Sequence, residues 1–116
     1  ADLGTSAGCA VVAAAAEGAS ALVHAAGYME GGRLGQLPDD GADGMWRLHV
    51  RAAEILAEAL APRMAAGGRI VLIGSRTAAG APGRSRYAAT KAALVAMARS
   101  WAAELAGRGV TVNVVA

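Results

Sequence analysis

The chain has 116 residues, 55% of them hydrophobic, and a formal net charge of +2. Aromatic residues make up 3%, phenylalanine is absent, and alanine, at 32 residues, supplies most of the apolar volume. That length fits about one domain, and the basic residues are scattered, with no run that would mark a nucleic-acid tail. The single Cys9 excludes an internal disulfide and fits a reducing compartment. With no apolar stretch of spanning length, no targeting segment and no metal-ligand set, the expectation is a cytoplasmic globular domain without membrane or nucleic-acid partners.

Glycine, alanine, serine and aspartate punctuate the chain into alternating long and short apolar segments. "ADLG" at 1–4 reads as the tail of a strand, 5–17 as an alanine-rich helix, and "ALVHAA" at 21–26 as a short strand. Residues 28–44 form a polar, glycine-rich loop whose apolar members are Tyr28, Met29, Leu34 and Leu37. Asp43 is placed to cap a helix over 44–65, with Met45, Leu48, Ala52, Leu56, Ala59 and Met64 as its apolar stripe. Gly67 and Gly68 end that helix, and "RIVLIG" at 69–74 is a second, β-branched strand. A long helix follows over 85–106 with Leu94, Met97, Trp101 and Leu105, and "VTVNVV" at 110–115 is a third strand.

Short runs that are apolar almost throughout, alternating with helices, fit strands buried on both faces and joined by crossover helices in a parallel sheet. The expected fold is a doubly wound α/β layer. The chain opens and closes within elements, and the glycine cluster at 27–35 lacks the G-x-G-x-x-G spacing of a phosphate loop. Residues 1–116 are therefore expected to be the central part of one larger α/β domain.

One residue breaks the chain's preference for arginine. Against ten arginines there is one lysine, Lys91, and it stands four residues after Tyr87, one of two tyrosines. On a helix, residues four apart share a face. An ammonium beside a phenol favours the phenolate, and a phenol so tuned serves as a general acid/base near neutral pH. Ser75, at the carboxyl end of "RIVLIG", is where open α/β sheets bind their ligands and can hold a substrate oxygen in front of that phenol. By itself a Tyr-x-x-x-Lys spacing is common on solvated helices. The other nearby charges, Arg76, Arg84 and Arg86, are read as loop solvation or cofactor-phosphate partners and not as catalysts.

"VHAAG" at 23–27, "VLIGS" at 71–75, "YAATKAAL" at 87–94 and "RGVTVNVVA" at 108–116 together resemble the short-chain dehydrogenase/reductase family, in order along nearly the whole chain. The resemblance implies a Rossmann-like fold, NAD or NADP as cofactor, and hydride exchange between an alcohol and a ketone. It implies Tyr87 as general acid/base, Lys91 as the holder of the nicotinamide ribose, and Ser75 as the residue that positions the substrate oxygen. Asp2 and Leu3 match a strand-end segment that contacts adenine, and His24, Ala25, Ala26 and Gly27 match the Asn-Asn-Ala-Gly segment lining the cofactor cleft.

His49 in "RLHVRAA" stands where the family has an asparagine that supports a proton-relay water, and a histidine there can serve as a catalytic relay or as a buried helix residue with a local partner. His24 and Ala25 replace two amide side chains, and Ser75 precedes Tyr87 by twelve residues, one fewer than in many members. These replacements leave a second reading, a truncated or degenerate, non-catalytic homologue acting as a binding or interaction module. Trp46, Ile55 and Val95 lie off the main stripes of the two long helices, so 44–65 and 85–106 are expected to pair copies into a homodimer or homotetramer, with Ala57 and Ala96 on the contact face.

Overall fold

A computed structural model describes all residues 1–116. Three strands, β1 (Ala21–His24), β2 (Arg69–Ile73) and β3 (Thr111–Val115), pair in parallel in that order, with Ala21 opposite Arg69 and Arg69 opposite Thr111. Helix α1 (Ser6–Ala15) precedes β1, its first turn closed by the Thr5 hydroxyl accepting from the Gly8 N–H at 3.0 Å. The β1–β2 crossover is α2 (Gly41–Trp46), a π-helical stretch (Arg47–Arg51) and α3 (Ala52–Leu60); the β2–β3 crossover is α4 (Ser85–Leu105).

Parallel crossovers are right-handed almost without exception, and both here step the same way along the sheet. Both helical layers therefore cover one face. Leu22, Ile70, Leu72 and Val112 point into it and meet Leu56, Leu60, Leu94 and Ala98. Burying side chains such as Ile70, Leu72 and Leu94, each at 0% exposure, contributes about 1.5–3 kcal/mol apiece. The opposite face is not covered within this chain. Val23 and Val115 are 61% and 55% exposed, so the expectation of strands buried on both faces holds for one face only.

Three local readings also change. Residues 1–4 form a turn, because the Asp2 carboxylate folds back onto the Gly4 N–H at 2.8 Å. The second helix starts at Gly41, so Asp43 lies inside its first turn instead of capping it. Within that helix the Ala52 N–H bonds to Arg47 O, five residues back, and this π turn inserts one residue relative to α-helical phase. Beyond it the buried face is Ala53, Leu56, Ala57 and Leu60, which leaves Ala59 exposed and puts Ala57 in the subunit's own core at 4% exposure.

Candidate active site

The carboxyl ends of β1 and β2 lie at the same edge of the sheet, and the chain leaves them as Ala25–Gly27 and Gly74–Ser75. Helix α4 starts across from this edge, and its first two turns bring Tyr87 and Lys91 to one side. These two side chains, with Gly27, Tyr28, Met29, His49 and the end of β2, line a cavity of about 290 Å³. That is the crevice in which open α/β sheets hold ligands. A separate cavity of about 300 Å³, between the loop at 30–41 and residues 83–86, contains none of the candidate catalytic groups.

Lys91 is 6% exposed. Its Nζ donates to the carbonyl of Ile73 at 2.8 Å and lies 5.7 Å from the centroid of the Tyr87 ring. Burial pushes the lysine's pKa down from its ordinary value. An ammonium has three donors, and the Ile73 carbonyl accepts one of them.

His49, 1% exposed, stands at the centre of the π turn with both ring nitrogens engaged. Nε2 accepts from the Tyr28 N–H at 3.0 Å, and Nδ1 is 2.8 Å from Thr90 Oγ1. The Thr90 hydroxyl in turn donates to the carbonyl of Tyr87 at 2.9 Å. The imidazole meets the Tyr87 ring edge-on at 5.7 Å between centroids and the Tyr28 ring at 6.1 Å. Burial first, then the Lys91 charge, pushes its pKa down to about 4. Gly27 is required beside it: a Cβ there would come within 2.7 Å of His49 Nε2.

His24, 3% exposed, lies behind the cavity wall and donates from Nε2 to Leu48 O at 3.0 Å. That carbonyl's usual helical partner, the Ala52 N–H, is bonded to Arg47 O across the π turn. Burial lowers the His24 pKa, keeping the ring neutral.

Ser75 is half-buried and caps the short 3₁₀ turn Arg76–Ala79, its Oγ accepting from the Thr77 N–H at 3.1 Å. That bond leaves the hydroxyl proton uncommitted, but Ser75 is not among the residues of the cavity wall, which on this strand ends at Gly74. Ala25 and Gly27 line the cavity and Ala26 is half-buried beside them, whereas Asp2 and Leu3 lie away from it at the start of α1. Of the candidates, the fold thus gathers Tyr87, Lys91, His49, Ala25 and Gly27. Thr90 and the carbonyl of Ile73 belong to the site's framework and were missed from sequence. Thr90 is three residues after Tyr87, a spacing that places it on the same helical side.

The family model described as enoyl-(acyl carrier protein) reductase matches residues 5–116. The cyclic-di-GMP-binding biofilm dispersal mediator protein of Escherichia coli K12 is 38% identical over 96 residues, covering 81% of this chain and 40% of the relative. The 3-oxoacyl-(acyl-carrier-protein) reductase of Thermotoga maritima is 33% identical over 98 residues, covering 82% of this chain and 40% of the relative. Among solved structures, a blue fluorescent protein from a metagenomic library in complex with NADPH superposes with a TM-score of 0.91 at 36% identity, covering 98% of this chain and 49% of that one. A short-chain dehydrogenase of Burkholderia cenocepacia in complex with NADP gives 0.82 at 38% identity, covering 93% and 45%.

A parallel α/β sheet with its cavity at the strand ends defines a Rossmann-like protein. The chain belongs to the short-chain dehydrogenase/reductase family and spans about 40% of the length of these curated relatives.

Proposed function

We propose that the protein is an NAD(P)-dependent oxidoreductase that interconverts an alcohol and a ketone, and that residues 1–116 are the central part of its nucleotide-binding domain. The observation carrying this reading is the convergence of Tyr87 and Lys91 on one cavity at the carboxyl ends of two parallel strands. The site suits a nicotinamide ribose because Lys91 Nζ has two donors left after bonding Ile73 O, in a position where an unpartnered ammonium is costly. The bound nicotinamide supplies or accepts the hydride. Tyr87 gives its phenolic proton to the nascent alkoxide in reduction and removes the alcohol proton in oxidation, with the Lys91 ammonium beside it at 5.7 Å from the centre of its ring.

Ser75 donates its free hydroxyl proton to the substrate oxygen and so fixes it against Tyr87. Ala25 and Gly27 form the nicotinamide-side wall, with Ala26 between them and His24 bracing the strand end. Asp2 and Leu3 sit at the adenine end. Copies pair through the helices of 44–65 and 85–106, where Trp46 is 48% exposed and Ala96 is exposed.

The test is titration of the full-length protein with NADPH and with NADH, read by energy transfer from tryptophan to the bound dinucleotide. Saturable binding of either is expected. Binding of neither would favour the non-catalytic homologue, the reading to which the replacements His24 and His49 lend support.

A further inference from the structure

We propose that His49 is a positioning residue, a fixed neutral strut that ties the cavity wall at Tyr28 to the backbone of Tyr87 and relays no proton to or from solvent. The inference rests on Tyr87 being the acid/base and adds how that phenol is held. It follows from the direction of three hydrogen bonds. The Tyr28 N–H can only donate, so His49 Nε2 must present a lone pair to it across 3.0 Å. The ring's one proton therefore sits on Nδ1 and is donated to Thr90 Oγ1 at 2.8 Å. Thr90 passes the same direction on by donating to Tyr87 O at 2.9 Å.

Protonating Nε2 would set two donors head-on, so the ring cannot take up a proton without releasing residue 28. Both nitrogens are used, which leaves none for a relay water. The titratable groups facing the ring are Lys91 and His24, together with the phenols of Tyr28 and Tyr87. Lys91 opposes a second positive charge there, and burial pushes the ring's pKa down to about 4.

The π turn builds the strut. It displaces His49 from ordinary α-helical phase towards the strand ends, and the Leu48 carbonyl it leaves aside is filled by His24. Gly27 gives the ring room, since any side chain would reach its Nε2. The two histidines thus act together: one repairs the helix where it bulges, and the other uses the bulge to connect the two walls of the cavity. His49 also presses edge-on against the Tyr87 ring, which restricts the phenol's rotation.

Nitrogen-15 NMR of the histidine rings in the full-length protein tests the proposal directly. His49 should show a protonated Nδ1 and a bare Nε2 throughout the neutral range, without titrating there. Titration near the ordinary histidine value, or a proton on Nε2, would overturn the strut, and this readout holds whether or not the protein turns over any substrate. Thr90→Val provides a second arm. Losing the middle link should lower kcat by about 10- to 100-fold through misplacement of the phenol, leave the KM for cofactor unchanged, and leave the pH profile of kcat unmoved. If His49→Gln instead removed a limb of that profile, His49 would be a proton carrier and the proposal would be wrong.

Discussion

Lys91 donates its ammonium to the carbonyl of Ile73 across 2.8 Å, joining the second turn of α4 to the last residue of β2. The chain's one lysine is thus held by the sheet itself, at a depth where its fractional exposure is 6%. A compact ammonium reaches that carbonyl and still presents donors to the cavity. A planar guanidinium is wider and points its donors in a fixed fork.

Lys91→Arg should therefore be poorly tolerated in a protein that uses arginine at every other basic position. The variant is expected to bind cofactor at least about tenfold more weakly, a loss of roughly 1.4 kcal/mol. Fluorescence titration with the preferred dinucleotide checks this. Unchanged affinity together with an unchanged pH profile of turnover would show that only positive charge matters at residue 91.

Stability should fall on acidification. His49 and His24 are buried neutral, and both folded-state pKa values lie below the ordinary 6.5, His49 at about 4. Between those values the unfolded chain binds more protons than the folded one, so stability is complete above pH 6.5 and is lost as pH falls towards 4. For His49 the loss is on the order of 3 kcal/mol. Urea unfolding followed across this window should show the decline, and His49→Gln should flatten it. Equal slopes in the two proteins would mean that His49 is not buried neutral.

Pairing of copies predicts a specific sensitivity on the outer helix faces. Trp46 is 48% exposed, and Ala92 and Ala96 leave a shallow exposed strip on α4. Ala96→Glu should convert a dimer or tetramer into monomer, because it buries an unpaired charge in the contact. Light scattering at micromolar concentration reads the mass, and a monomeric parent protein would remove the interface. Ala57 cannot serve as the probe, since it packs in the subunit's own core.

Much of this was legible in the sequence because local chemistry dictated it. The β-branched run at Arg69–Ile73, the glycines at 67 and 68, and the Tyr87–Lys91 spacing led to the second strand, the stop before it and the cavity wall. The π turn was not legible. No residue in "RLHVR" demands an i→i+5 bond, and the turn is held by tertiary partners, His24 on Leu48 O and Thr90 on His49. Missing it misplaced Ala57 and Ala59 on the helix and left His49 open between relay and buried partner. The uncovered sheet face was equally hidden, because an apolar strand reads the same whether one or both of its sides are packed within the chain.

The central claim is that the phenol of Tyr87 moves the proton, and Tyr87→Phe in the full-length protein tests it with the smallest change. The substitution removes one hydroxyl and keeps the ring that His49 meets edge-on. Turnover should fall by about 10²–10⁴-fold, the usual worth of a positioned acid/base, with cofactor affinity nearly unchanged. Near-normal turnover by the purified variant would contradict the assignment.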